Sequence, residues 1–249
     1  MHVRLLRILF VLVSSLLVSN LAIAQTPAGP APVYTGNVGG GFAITGGNTD
    51  TNNFNLTAAM VRDPKTRNVI KAGAAYLRGD QNNILNLDRT SFNLRDEYTI
   101  SGRTFVFGQL DYLRDKFKEI TFFWAPTGGI GYKLVNTDST QLILDGGAGG
   151  VLEKNRGIPS SKKSGSLTAG QRLNYKLSST ATFAESLSSI WKTKDFNDSL
   201  TNFSVGVTTT LVGNIQLKVE FLDSYKNKPA NAALKKNDTA FVTAFVLKF

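Results

Sequence analysis

Beyond its second residue, the chain contains neither histidine nor cysteine, and this limits the chemistry it can perform. The only histidine is His2, and there is no cysteine. Catalytic sites that need a histidine base or a cysteine nucleophile are therefore excluded, as are zinc sites built from those residues. The sequence predicts a protein that is not an enzyme and binds no cofactor or metal. Carboxylate chemistry at Asp111, Asp145 or Glu220 is the one catalytic route left open.

A glycine-rich run and a set of spaced charges are the other candidates for chemistry. The run GGAGG at 146–150 lacks the following helix that a phosphate-binding loop needs, so we interpret it as part of a strand. The charged residues have both signs, which fits either a water-filled pore or a closed interior cross-linked by salt bridges. Those predicted to point inward are Lys71, Arg95, Glu97, Asp111, Asp145, Arg172, Lys176, Lys218 and Glu220.

Extended segments with alternating apolar and polar residues must position these side chains. In IQLKVEFLD, residues 215–223, apolar residues take every second position from Ile215, and Lys218 and Glu220 lie between them. A helix would scatter such residues around its circumference, whereas a strand places the charges on one face. Similar segments recur, and each is near the ~9–11 residues that a tilted membrane strand needs. We therefore predict an all-β fold, a closed antiparallel transmembrane barrel of about twelve strands.

The N-terminus has the residue order of a secretory signal peptide. Arg4 and Arg7 precede an apolar run, and small residues from Ala22 to Ala24 precede Gln25. We predict a cleaved signal peptide over 1–24, with a retained membrane anchor as the alternative, a proline-rich linker over 25–35 and a barrel over 36–249. No later stretch is apolar enough for a transmembrane helix, so an exported chain that enters a membrane must do so as a barrel. The expected location is the outer membrane of a Gram-negative bacterium.

The chain is basic, with a net charge of +10 that stays positive when Arg4 and Arg7 leave with the signal peptide. Nucleic acid is not expected as a partner of an exported chain. Outer-membrane lipid and the phosphates of lipopolysaccharide suit a basic exterior better. We assign this contact to basic residues of the predicted outer loops: Lys154, Arg156, Lys162, Lys163, Lys192, Lys194, Lys226, Lys228, Lys235 and Lys236.

The predicted connections alternate between short and long, as do the periplasmic turns and external loops of outer-membrane barrels. The short connections are 63–67, 101–103, 136–139, 177–180 and 212–214, and the long ones begin at Arg78, Arg114, Glu153, Lys192 and Lys226. Aromatic residues are expected to form a girdle at each interface. One girdle comprises Tyr98, Tyr132, Tyr175, Phe105 and Phe183, and the other Tyr76, Tyr112, Trp124, Trp191 and Tyr225.

The chain ends in the middle of an apolar alternation, FVTAFVLKF at 241–249. Phe241, Phe245, Leu247 and Phe249 share one face of the predicted strand. We predict that this strand closes the barrel against the first strand, NVGGGFAIT, and leaves no free edge. A terminal aromatic residue in this setting resembles the sorting signal read by the outer-membrane barrel assembly machinery. We assign that role to Phe249, supported by the other three residues.

Several segments also resemble a known family, the salt-induced outer-membrane proteins, a domain of unknown function. They are ITGGNTDTNNFNL, FVFGQLDYLRDKF, GGIGYKLVNTDSTQLILDGGAGG and TATFAESLS, and the resemblance covers nearly all of residues 35–249 in order. It implies an outer-membrane barrel and transfers no catalytic residue.

Three functions fit this sequence, and a narrow diffusion channel is the leading hypothesis. Small inward residues such as Gly206, Thr208, Thr210 and Ala244, with few bulky ones, would leave room for water. A slight excess of inward basic residues would favour anions weakly. The alternatives are a closed structural barrel that supports the envelope under osmotic stress, and a surface-binding protein acting through its basic outer loops. The sequence carries no signal for an oligomeric state.

Overall fold

The computed structural model describes residues 33–46, 51–81, 84–231 and 233–249. They form twelve strands, each paired antiparallel with its sequence neighbours, and β1 pairs with β12 to close the ring. The prediction of a closed all-β barrel of about twelve strands is confirmed. The predicted signal peptide and the linker up to residue 32 lie outside the described residues. Within the described residues, no helix has the length and hydropathy needed to cross a bilayer.

The strand bounds follow from the backbone pairing. The strands are β1 (Tyr34–Gly46), β2 (Thr51–Arg62), β3 (Asn68–Gln81), β4 (Ile84–Thr99), β5 (Thr104–Asp115), β6 (Ile120–Asn136), β7 (Thr140–Asn155), β8 (Lys162–Lys176), β9 (Ala181–Lys192), β10 (Asp195–Val212), β11 (Ile215–Lys226) and β12 (Asn237–Lys248). The first strand begins two residues before the predicted start of the barrel at 36.

The strands are longer, and some connections shorter, than the sequence predicts. Their lengths run from 12 residues in β2 to 18 in β10. The predicted long loop 78–88 is wrong, because β3 continues to Gln81 and β4 starts at Ile84. The same applies to the loop predicted from Lys192, because β10 already starts at Asp195. Paired strands satisfy their backbone hydrogen bonds whatever their side chains, so polar residues can extend a hairpin.

The two ends of the barrel differ in the connections they carry. One end, which we call the terminal rim, holds Tyr34, Phe249 and the connections 63–67, 100–103, 137–139, 177–180 and 213–214. The other end, which we call the opposite rim, holds the described connections 116–119, 156–161 and 193–194 and the described residues 227–231 and 233–236 between β11 and β12.

Alternation along each strand separates an outward apolar surface from a mixed interior. In β12, Phe245 is 63 % exposed while its neighbour Val246 is 5 % exposed. Phe241, Leu247 and Phe249 point outward and are exposed like Phe245. Other large exposed side chains at outward positions include Leu56, Phe92, Leu94, Val106, Ile130, Tyr132, Leu144, Leu167 and Phe221.

The interior is bulkier than the sequence predicts. The assignment of Phe105 to an aromatic girdle is wrong, because this residue points inward and is 1 % exposed. Its ring lies against Gly131, where an added Cβ atom would be 2.1 Å from the Phe105 Cζ atom. Phe107 lies on Gly129 in the same way, at 2.7 Å. These β6 glycines act as seats for aromatic rings, because only a residue without a side chain leaves room there.

The barrel closes through its last residue. The Phe249 amide donates to the Gly36 carbonyl (3.0 Å), and the Gly36 amide donates to the Phe249 carbonyl (2.9 Å). The Phe249 ring lies over Gly36, where an added Cβ atom would be 2.6 Å from the ring. The terminal phenylalanine is therefore a paired member of the β1–β12 seam.

Candidate functional site: the barrel interior

A cluster of charged side chains lies inside the barrel, in the half nearer the terminal rim. Six of the predicted inward residues and one glutamine meet in it, and we call it the central charge cluster. It draws on strands β3, β4, β5, β7 and β8. Its members are Lys71, Arg95, Glu97, Gln109, Asp111, Asp145 and Arg172.

Two arginines and two carboxylates form the centre of this cluster in alternating order. Arg95 contacts Glu97 (Nε–Oε1 2.8 Å) and Asp145 (Nη2–Oδ2 2.9 Å). Arg172 contacts the same two carboxylate oxygens at 2.9 and 3.1 Å. Each charge therefore faces two opposite charges, which offsets the desolvation that burial imposes.

The remaining members extend the cluster to either side. Lys71 lies 2.6 Å from the Oε2 atom of Glu97. Arg95 also donates to Gln109 (2.5 Å), whose amide donates to Asp111 (2.7 Å). The Arg95 guanidinium carbon lies 3.7 Å from the centroid of the Phe107 ring, a cation–π contact that fixes its plane. The glycine seat of Phe107 therefore helps to position the central charges.

The other predicted inward residues lie apart from this cluster. Lys218 and Glu220, both on β11, pair with each other at 2.8 Å. Lys176 lies exposed at the terminal rim, at the end of β8.

An apolar layer crosses the interior between the central charge cluster and the opposite rim. Its residues come from β5, β6, β7 and β10, so it joins strands on different sides of the barrel. All of them are at most 6 % exposed. We call it the apolar layer; it comprises Leu113, Ile120, Phe123, Ala125, Val151 and Leu200, with Ile190 of β9 packed against it. The expectation of few bulky inward residues is wrong here.

A second alternating set of charges lies beside the apolar layer, with Glu153 opposite Phe123 and Lys226 opposite Leu200 in the strand register. Lys192 contacts Glu153 (2.5 Å) and Asp198 (2.6 Å). Lys226 contacts the same carboxylates at 3.2 and 2.8 Å. We call these four residues the mouth quartet. Lys192 and Lys226 are buried in it, so their assignment to lipopolysaccharide-binding loops is wrong.

Water reaches one part of the interior, on the side of β8–β11 toward the terminal rim. In the terminal half, inward residues such as Asn174, Ala184 and Ser188 are exposed, and the Lys218 side chain is 36 % exposed. In the opposite half, inward residues such as Ser166 and Ser224 are buried. The interior is therefore a vestibule along β8–β11 that opens at the terminal rim and ends at the apolar layer, whereas Phe105, Phe107 and the central charge cluster fill the side of β4–β7.

The residues that close the opposite half are absent from the predicted inward set. Glu153 lies eight positions after Asp145 on β7, so strand parity places it inward, but the sequence predicts the start of a loop there. Asp198 lies in the polar run 192–199, which the sequence likewise predicts as a loop although it belongs in part to β10. Among the described residues, no group of three or more His, Cys, Asp or Glu side chains could hold a metal ion.

Comparisons of the whole fold show which solved structures have a similar barrel. The chain is similar to the NanC porin, with a TM-score of 0.58 and 8 % identity over 86 % of this chain and 100 % of that one. It is also similar to an outer-membrane channel from Pseudomonas putida F1 (TM-score 0.53, 11 % identity, 92 % and 100 % covered). The translocator domain of the autotransporter NalP from Neisseria meningitidis gives a TM-score of 0.51 at 11 % identity, with 88 % and 90 % covered. The shared feature is the closed barrel fold of outer-membrane proteins.

The sequence itself identifies the family. Residues 38–249 match the profile of DUF481, described as a protein of unknown function, and the chain belongs to that family. The comparison with curated proteins gives no match. The salt-induced family name stays a prediction.

Proposed function

We propose that this protein is an outer-membrane channel with a narrow lumen and weak anion preference. The observation that carries the proposal is the vestibule, whose inward residues are accessible to water although they point into a closed barrel. Lys218 and Glu220 line it together with the small residues Gly206 and Thr208. A wet, polar interior inside an apolar outer surface is the arrangement of diffusion channels.

The outer surface supports a position in lipid. Side chains such as Phe245 and Ile130 are more than half exposed, and a continuous band of such residues is costly in water. Tyr112 and Trp124 pack together with ring centroids 4.6 Å apart, toward the opposite rim, as expected of an interfacial girdle. With the barrel in the outer membrane, the terminal rim faces the periplasm and the opposite rim faces outward.

The proposed anion preference depends mainly on Lys176. Most inward basic residues are paired with carboxylates, so their charges are largely balanced. Among the described residues, no carboxylate lies within ion-pair distance of Lys176, which stands at the entrance of the vestibule. Its charge should attract anions to that entrance.

Planar-bilayer recording tests the channel. We expect discrete conductance with a weak anion preference that Lys176→Glu reduces. Combining Lys176→Glu with Arg172→Glu should reverse it, because Glu97 and Asp145 then lose a cation as well. Repeated silence of a correctly folded barrel, including variants with a loosened opposite rim, would exclude the channel.

A closed structural barrel that supports the envelope under osmotic stress is the second candidate. The apolar layer and the mouth quartet favour it, because both join distant strands across the interior. It predicts that the barrel never conducts and that cells lacking the protein lyse more readily on osmotic downshift. Neither candidate is an enzyme; turnover of phospholipid that depends on Asp111, Asp145 or Glu220 would contradict both.

We further propose that lipopolysaccharide contacts the opposite rim. Lys162, Lys163, Lys235 and Lys236 are exposed there, where the phosphates of the outer leaflet would lie. Neutralising all four should weaken co-purification of lipopolysaccharide. Neutralising Lys65, which is exposed at the terminal rim, is the control and should have no effect.

A further inference from the structure

A lysine on one side of the opposite rim reaches the strands on the other side. Lys118 lies in the connection between β5 and β6, and β11 and β12 are halfway around the ring. Its ammonium group donates to the Ser224 carbonyl and hydroxyl, both at 3.1 Å. It also lies 3.2 Å from an Asp238 carboxylate oxygen, and its side chain is 6 % exposed. The 116–119 connection is thus tied across the mouth of the barrel.

Local backbone contacts hold the 116–119 connection in the conformation that directs Lys118 across the mouth. One Asp115 carboxylate oxygen accepts hydrogen bonds from the amides of Phe117 (3.1 Å) and Lys118 (3.0 Å). Glu119 adopts a left-handed backbone conformation with φ of 58°, which a residue other than glycine adopts at some cost. The tertiary contacts of Lys118 offset this cost only while they are made.

The layers beneath Lys118 complete the closure. Glu153 of β7 contacts Lys226 of β11 across the interior, and the apolar layer joins β5, β6 and β7 to β10. The cavity between Lys118, Glu153 and Lys226 has a volume of only about 10 Å³. That is about the space of one water molecule, so the described residues leave no passage for a larger solute between these three side chains.

We propose that the opposite rim is a gate, with Lys118 as the latch that holds it shut over the mouth quartet and the apolar layer. This inference rests on the proposed channel function and adds its regulation. Opening requires release of Lys118, movement of the short 116–119 connection, and rearrangement of the side chains of the mouth quartet and the apolar layer, while the paired strands of the barrel stay in place. Hydrophobic constrictions in channels gate by excluding water, so the apolar layer should conduct only after the latch moves.

The access of water-soluble reagents to the closed half can be measured with introduced cysteines, because the chain has no native cysteine. Ser166 points inward near Lys192 and is 1 % exposed, so Ser166→Cys places a thiol in the closed half with little change in size. Thr208→Cys places one in the open vestibule as a reference. The rate of labelling by a small charged thiol reagent, measured on the full chain folded in detergent, reports access to each position.

We expect Lys118→Ala to raise the labelling rate of the thiol at position 166 about tenfold, the change expected from losing a charge-assisted hydrogen bond. Ser224→Ala removes one acceptor and should raise the rate less. Lys116→Ala, in the same connection, is the matched control and should leave it unchanged. The labelling rate of the thiol at position 208 should be equal in all backgrounds, which also verifies folding.

Bilayer recording, together with the labelling rates, distinguishes a failure of the gate proposal from a failure of the channel proposal. A higher open fraction in Lys118→Ala than in the wild type supports both. Faster labelling at position 166 without conductance keeps the gate but overturns the proposed channel. Equal labelling at position 166 in the Lys118→Ala, Lys116→Ala and wild-type backgrounds overturns the gate, whatever the conductance.

Discussion

Glu97 accepts hydrogen bonds from Lys71, Arg95 and Arg172, and its side chain is only 8 % exposed. Among the residues that the structure describes, Glu220 forms an ion pair with Lys218 alone, and the Lys218 side chain is 36 % exposed. Water screens the second pair and hardly reaches the first, so two carboxylates that look alike in the sequence differ in their contribution to stability.

We predict that Glu97→Gln lowers the free energy of unfolding by about 3 kcal/mol, because it leaves buried cations without a partner. Glu220→Gln should lower it by less than about 1 kcal/mol. Denaturant titration of the two variants in the same detergent measures the difference. Equal effects would show that water screens both sites alike.

The glycine seats lead to a second prediction at the residue scale. Gly131→Ala should destabilise the barrel by about 1–3 kcal/mol, because the new methyl group overlaps the Phe105 ring. Gly108→Ala is the control: it lies on the outward face of β5, where an added Cβ atom meets nothing within 4 Å. Thermal unfolding of both variants should separate them, and an unchanged midpoint for Gly131→Ala would contradict the role of the seat.

Lys118 should make the gate sensitive to alkaline pH. Burial lowers the pKa of its ammonium group from the ordinary value of 10.5; Arg89 acts in the same direction, and Asp238 and Asp115 act against it. An open mouth returns Lys118 to water and its ordinary pKa, so the open state binds the proton more tightly. The open fraction should therefore fall as pH rises through the interval below 10.5 and stay flat at lower pH. Lys118→Met should abolish this dependence; the same slope in that variant would assign it to another group.

At the scale of elements, alternation predicts most strands because it reports directly which side chains meet water. The 215–223 segment is an example: Ile215 and Phe221 point outward, and Lys218 and Glu220 point inward. Polar hairpin ends such as 78–88 and 192–199 do not show this contrast, so the sequence predicts loops there. Alternation does not predict the contact of Arg95 with Asp145, because the two residues lie on β4 and β7, which are not neighbouring strands.

The β1–β12 seam leads to a prediction about assembly. Phe249→Ala should reduce the amount of barrel inserted in cells, because the proposed assembly signal is lost. Refolding of the purified chain in detergent should suffer less, since only the contact of the ring with Gly36 is removed. Phe221→Ala, an outward phenylalanine on β11, is the matched control. Equal losses in cells for both variants would argue against a special role of the terminal residue.

At the scale of the whole molecule, the sequence predicts a closed barrel, because it indicates the number of strands and the pairing of the first strand with the last. It does not predict that side chains close the opposite rim. The mouth depends on contacts such as Lys118 with Ser224, which join residues 106 positions apart in the chain. No local pattern marks such pairs, because the curvature of the complete barrel brings them together.

The intact barrel should be recognisable by its behaviour on gels. An unheated sample should migrate differently from a boiled one, since the closed hydrogen-bonded ring resists detergent until heated. The protein should be found in the outer-membrane fraction and need detergent for extraction. Recovery from the soluble periplasmic fraction would contradict a transmembrane barrel.

The central charge cluster also has a consequence for the order of events during insertion. A chain that crossed the bilayer one hairpin at a time would present Arg95 of β4 to lipid before Asp145 of β7 arrived beside it. Glu97 of the same strand balances only one of the two cations Arg95 and Lys71, so a β3–β4 hairpin alone would carry one unbalanced positive charge into lipid, at a cost of at most about 2–4 kcal/mol. Ring closure and entry into the membrane should therefore be a single concerted step. A chain would then insert favourably only after its distant strands have come together and formed the cluster.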